Sequence, residues 1–178
     1  MGSRFLTFNL RETDTYLLIG KALKTSFGLP QDTLFFEVPM GSSRADILHV
    51  QTRNDSLLRP GIHVFEVKMA RDSDAQRLRR QLRDYLSCAD HVWVVGVNAK
   101  PDLRRECVGG MVFSTNGCAI EVVRNSGHNT HIDRQRRQLL LSDLAGRLRD
   151  KYRSVEEMSW VCPDGDGRFC FQEKIGAY

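Results

Sequence analysis

Apolar residues along the chain fall into two rhythms, one helical and one extended, and they alternate in blocks. From Asn9 to about Phe27 they recur at helical spacing, with Leu10, Leu17, Leu18, Ala22 and Leu23 forming a stripe. Asn9 and Glu12 have the spacing of a capping box, and Gly28, Leu29 and Pro30 end the helix. Short apolar runs follow at Leu34 to Val38, Ala45 to Gln51 and Ile62 to Met69, separated by Pro39-Met40-Gly41 and by Asn54 to Gly61. They predict three strands joined by turns, so that the first helix and these strands form one α-then-meander unit.

Ser73 to Cys88 returns to helical spacing: Leu78, Leu82, Tyr85 and Leu86 face inward, and Arg77, Arg79, Arg80 and Arg83 spread over the other sides. His91 to Val97 is an almost unbroken apolar run, the pattern of a strand buried on both faces and therefore central and parallel to a neighbour. The helix before it makes the crossover. Gly110 to Phe113 and Ala119 to Val123 flank Asn116-Gly117, a hairpin signal that puts a late hairpin at the sheet edge. A last long helix runs from His131 to about Tyr152, with Leu139, Leu140, Leu144 and Leu148 as its apolar face. The closing segment, with Trp160 and Phe169 to Phe171, reads as a small hairpin or terminal strand pair. No repeat or linker interrupts the chain, so residues 1–178 are expected to form a single α/β domain, with a core at about 9–123 and a helix and tail at 131–178.

Composition changes this picture little. Lys and Arg total 26 against 22 Asp and Glu, a net charge of +4 carried mainly by Arg, whose planar fork suits phosphate. Cysteines at 88, 107, 118, 162 and 170 have no paired spacing and are odd in number, which argues against a disulfide framework and for a reducing compartment. Cys162 and Cys170 with His128 and His131 could be assembled into a zinc or iron-sulfur site; incidental thiols are the simpler reading, and no structural metal is assigned. No apolar run is long enough to span a bilayer, and no signal-peptide order stands at the N-terminus. Met1-Gly2 does not continue as a myristoylation motif, because Leu6 stands where Ser or Thr is needed. A soluble, cytoplasmic protein without a membrane partner is expected.

Chemistry concentrates in one stretch. Asp46 closes the run Ser42-Ser43-Arg44-Ala45 and opens an apolar strand, where a charge is costly unless paired or metal-bound. Glu66 and Lys68 point to one face of the next strand, because side chains alternate there. Two carboxylates can hold a divalent cation, and an ammonium beside them can steer water or phosphate. Singly, each group has an ordinary reading: Asp46 caps Ser43 or pairs with Arg44, and Glu66 and Lys68 form a surface ion pair. Three such groups on adjacent strands point instead to phosphodiester cleavage.

The order Asp46, then Glu66-Val67-Lys68, then a helix with Gln81 and Tyr85, resembles the PD-(D/E)XK nuclease superfamily, and the stretch from Arg44 through Tyr85 is similar to small MmcB-like and RecB-like repair nucleases. The resemblance covers roughly Asn9 to Gly96. It implies a restriction-endonuclease-like αβββαβ core with a mixed central sheet, followed here by a C-terminal helix and a small β tail. It further implies a DNA hydrolase of repair, recombination or restriction that uses Mg²⁺ or Mn²⁺ and no small-molecule cofactor. Asp46, Glu66 and the Val67 carbonyl would be ligands, Lys68 the residue that orients water and offsets charge, and Gln81 and Tyr85 a pair beside the cleft. Ala45 stands where the superfamily's name leads one to expect Pro. Glu12 is a further acidic candidate, although its capping-box role accounts for it, and Glu37 ranks lower. Arg44, Arg71, Arg77 and Arg80 are the expected phosphate contacts, with Gln81 and Tyr85 beside them, and the contacts would be largely independent of sequence. A homodimer is compatible with the resemblance. The alternatives are an inactive nucleic-acid-binding module on the same fold and an α/β interaction protein in which these residues form only ion pairs.

Overall fold

The computed structural model describes residues 12–29, 34–52, 57–69, 74–103 and 105–151. The described elements are, in chain order, α1 (Glu12–Phe27), β1 (Leu34–Met40), β2 (Ser43–Gln51), β3 (Gly61–Lys68), α2 (Ala75–Leu86), β4 (His91–Val97), β5 (Val108–Ser114), β6 (Ala119–Arg124) and α3 (Arg134–Lys151). The strands form one mixed sheet in the order β1-β2-β3-β4-β5-β6. β1, β2 and β3 make an antiparallel meander, β4 and β5 run parallel to β3, and β6 turns back antiparallel at the edge. Every residue of β4 is buried, as its unbroken apolar run requires. Pro39, which has no amide hydrogen to give a ladder, sits in the edge strand β1.

Two apolar layers sandwich the sheet. On one face Tyr16, Ile19 and Leu23 of α1 pack with Ile47, Phe65, Trp93 and Met111. On the other Leu82 and Tyr85 of α2 and Leu140, Leu141 and Leu144 of α3 pack with Leu48, Val64, Val92 and Val108. Two helix phases differ from the sequence expectation. Leu17 and Leu139 are solvent-exposed, at 62% and 66%, while Tyr16, Ile19 and Leu141 are buried in their place. A leucine at helical spacing fits either side of a stripe, and the positions that meet the sheet decide the phase.

The turns also tighten. β1 runs to Met40 and β2 begins at Ser43, so Pro39 and Met40 belong to the strand and the turn is Gly41-Ser42, with Gly41 at φ 67. In the β5–β6 connection the left-handed residue is Cys118 (φ 46) rather than Asn116 or Gly117. At the end of the sheet away from the β1–β2 turn, His49, His63 and His91 sit side by side across β2, β3 and β4. All three are buried, and the His63 and His91 rings stack at 4.5 Å. Among the described residues no helix is long and apolar enough to cross a membrane. Asn9, Leu10 and the Trp160 to Phe171 segment lie outside the described residues.

Candidate active site

The site forms where the ladder between β2 and β3 opens. Pairing runs from Gln51 with Gly61 to Ile47 with Phe65 and ends there. The same register sets Asp46 opposite Glu66, but the Asp46 carboxylate replaces the next backbone rung and accepts the Val67 N–H at 2.7 Å. A residue in an extended strand turns its N–H and C=O to the same edge, so the Val67 carbonyl also faces the Asp46 side of β3. Across β2, the register with β1 sets Glu37 opposite Asp46, and Glu37 takes φ 54. That conformation costs a non-glycine residue on the order of 1 kcal/mol. It has a packing result. Leu34 and Phe36 pack on the α1 side and Phe35 on the α2 side, whereas Val38 and Met40 pack with α2, so the alternation reverses at Glu37.

Glu66 is almost fully buried, and both of its oxygens are engaged. Lys68 Nζ donates to Oε1 at 2.7 Å and also reaches Gln81 Oε1 at 3.3 Å. The Tyr85 hydroxyl lies 2.6 Å from Glu66 Oε2 and 2.6 Å from the Arg44 carbonyl, and its single proton serves one acceptor at a time. Burial, and then the neighbouring charge of Glu66, raises the Asp46 carboxyl to about 7; the Val67 N–H, the Tyr16 hydroxyl and Lys68 pull it back. Burial, followed by the Glu66 charge, pushes the Tyr85 phenol far above its usual range. Two carboxylates withdrawn from water, with one ammonium on Glu66, leave local negative charge only partly offset.

A cleft of about 1480 Å³ opens beside these groups; Asp46, Glu66, Lys68 and Gln81 line it together with Arg44, Arg77 and Arg80. Asp74 holds the start of α2 at the cleft by accepting the Arg77 N–H at 2.8 Å, a cap just before the helix. Arg44 is exposed and paired with Glu37 at 2.6 Å, which brings Glu37 into the cleft wall as well. Tyr85 is fully buried, so the expectation that it touches nucleic acid is corrected: its hydroxyl is an internal tether for Glu66. Gln81 is also buried and is tied to Lys68. Arg71 and the Glu12 side chain lie outside the described residues.

Sequence reasoning missed Tyr16, Lys100 and Arg105, which also line the cleft. Lys100 is held there by the loop after β4. Asn98, at φ 55, accepts from the Thr115 N–H at 2.9 Å and donates to Thr115 Oγ1 at 2.9 Å, and a Cβ at Gly96 would collide with the Ala99 carbonyl. No motif announces these contacts, because they depend on how loop and strand ends meet.

Among the described residues no group of three or more His, Cys, Asp or Glu side chains gathers as a metal cluster. The donor set for a hard cation is smaller, consisting of Asp46, Glu66 and the Val67 carbonyl. It fits such an ion in chemistry, since all three offer oxygen and a carboxylate offers about four lone-pair sites, of which the contacts above occupy only part. Cys88 is buried, and that burial raises its thiol; Cys107 is half-buried and Cys118 exposed.

No protein-family model matches the chain. No curated protein matches it either. The chain is similar to the solved structure of SPO1766, a protein of unknown function from Silicibacter pomeroyi, at 18% identity and a TM-score of 0.56, over 83% of this chain and 92% of that one. At that identity the likeness shows the fold alone: a mixed six-stranded α/β sheet flanked by helices.

Proposed function

We propose that this protein is a divalent-cation-dependent nuclease of the restriction-endonuclease-like type that hydrolyses DNA phosphodiester bonds. The observation that carries the reading is the meeting of Asp46, Glu66 and Lys68 at the opening of the β2–β3 ladder, in the wall of a cleft that arginines also line. The αβββαβ order of the described elements agrees with it. Asp46, Glu66 and the Val67 carbonyl would hold Mg²⁺ or Mn²⁺. A cation bound there supplies Lewis acidity and a more acidic water.

The chain's own residues do the rest. Lys68, held between Glu66 and Gln81, presents an ammonium to a phosphoryl oxygen as charge grows on it. In hydrolysis the water oxygen bonds to phosphorus and the ester oxygen leaves with a proton. Arg44, Arg77 and Arg80 hold neighbouring phosphates by charge. Tyr16 and Tyr85 fix the two carboxylates, so the site is preorganised before substrate arrives.

A second reading is an inactive nucleic-acid-binding module on the same fold. One observation favours it: both Glu66 oxygens are already engaged within the protein, by Lys68 and by Tyr85. Titration calorimetry with Mn²⁺ separates the two. The nuclease reading expects saturable binding by the wild-type protein that Asp46→Ala removes. Wild-type protein without affinity for the ion would turn the assignment to the inactive module.

A further inference from the structure

We propose that Asp84 is a positioning residue for the acidic site, acting through the β1–β2 turn; the inference rests on the nuclease reading above and deepens it. Asp84 lies in α2, next to Tyr85, and neither lines the cleft. Its Oδ2 accepts two hydroxyls at once, from Ser42 at 2.8 Å and Ser43 at 2.6 Å. The turn seats closely on it, since a Cβ built at Gly41, whose φ is 67, would lie 3.3 Å from the Asp84 carboxyl carbon. The following residue continues the grip: the Tyr85 hydroxyl reaches the Arg44 carbonyl and Glu66 Oε2.

Three consecutive residues of the β1–β2 hairpin, Ser42, Ser43 and Arg44, are therefore held by two consecutive residues of α2. Asp46 follows two positions later on the same strand, at the point where its carboxylate replaces a backbone rung and takes the Val67 N–H. Lys68 is tied to α2 through Gln81 and to β3 through Glu66. One helix face thus sets the relative position of the strand that carries Asp46 and the strand that carries Glu66 and Lys68. Asp84 supplies the acceptor half of that clamp, because a single carboxylate oxygen takes both serine hydroxyls. Without it the hairpin keeps the apolar packing of Val38 and Met40 on α2 and the Tyr85 hydroxyl, which must also serve Glu66. The Arg44 carbonyl and the Glu66 carboxylate already share that one proton, so the tether that remains is weak and the two carboxylates lose their fixed separation.

The test compares Asp84→Ala, Asp84→Asn and the double variant Ser42→Ala/Ser43→Ala with the wild-type chain. Three quantities are read: kcat and KM on labelled DNA with Mn²⁺, the Mn²⁺ dissociation constant, and the backbone amide NMR signals of Glu66, Val67 and Lys68. The clamp predicts that Asp84→Ala lowers kcat about tenfold or more while KM moves by less than about threefold, because a small misplacement of reacting groups acts on the chemical step. Mn²⁺ affinity falls in parallel, and the three amide signals shift. The serine double variant reproduces all of this. Asp84→Asn, whose amide oxygen still accepts both hydroxyls, stays near wild type. If Asp84→Ala fails to fold, the asparagine and serine variants carry the same comparison.

A merely structural Asp84 would lower the melting temperature and leave kcat, Mn²⁺ affinity and the amide signals unchanged, and that result overturns the proposal. Wild-type protein that neither binds Mn²⁺ nor cleaves overturns the nuclease reading instead. In that case the amide signals still decide whether the clamp exists.

Discussion

Replacing His63 with glutamine removes a titrating group from the middle of a buried row, and its effect should depend on pH in a defined way. His63 lies between His49 and His91 across the sheet. Its Nε2 faces the Arg59 carbonyl at 2.7 Å, and its Nδ1 accepts from Trp93 Nε1 at 3.2 Å. The neutral ring with a proton on Nε2 satisfies both contacts. A second proton on Nδ1 would oppose the Trp93 N–H. Burial, the larger cause, and the neighbouring His91 and His49 lower the ring to about 3, against an ordinary value of 6.5.

The folded state thus excludes a proton that the unfolded chain takes up below 6.5. The stabilisation from a neutral His63 is complete above pH 6.5 and is lost as pH falls towards 3, at roughly 1.4 kcal/mol per pH unit. Asp46 acts in the opposite sense: its folded value of about 7 exceeds the ordinary 3.8, so its contribution is complete below 3.8 and is lost as pH rises through 7. Both proteins keep Asp46, and its contribution cancels in the difference. Urea denaturation of wild type and His63→Gln at about pH 7.5 and about pH 4.5 should show a stability gap that is smaller at the lower pH by roughly 3 kcal/mol. A gap independent of pH would refute the reasoning. His91, lowered first by burial and bordered by His128 and by Asp90 in its ion pair with Arg137, changes in the same direction and is common to both proteins.

Three other outcomes follow from the geometry. Gly61→Ala should cost about 3 kcal/mol in denaturant unfolding, because φ is 139 there and the new Cβ would stand 2.8 Å from an Asp90 oxygen that holds the Ile62 N–H; an unchanged midpoint would contradict this. Tyr85→Phe should lose about 2 kcal/mol of stability, since the buried Glu66 and the Arg44 carbonyl lose a donor, and Mn²⁺ affinity should fall with it in calorimetry. Arg44→Glu with Arg77→Glu should weaken DNA binding in a gel shift and lower the salt slope by about 2, whereas unchanged affinity would remove both from the DNA-contacting surface.

The sheet was largely legible from the chain because its signals are local. His91 to Val97 reads as a doubly buried strand from its own residues, and Glu66 and Lys68 share a face by the period of a strand. What stayed hidden depends on register and long-range contact. The histidine row exists only once β2, β3 and β4 are aligned, and the left-handed Glu37 has no local signature. Asp84 belongs to no motif, and only the seating of the hairpin makes it an acceptor for two serines. The helix phases at Leu17 and Leu139 went astray for a related reason: a helix with apolar residues on adjoining sides is oriented by what it packs against. Tyr85, expected beside the cleft, is both core and tether.

The most direct measurement is cleavage of labelled linear, single-stranded, circular and branched DNA by wild-type and Lys68→Ala protein, with Mg²⁺ or Mn²⁺ and with EDTA. The account predicts metal-dependent cleavage of at least one substrate by the wild-type chain, abolished in Lys68→Ala while the variant stays folded. Cleavage that persists in Lys68→Ala, or wild-type protein that cleaves none of the substrates with either ion, would contradict it.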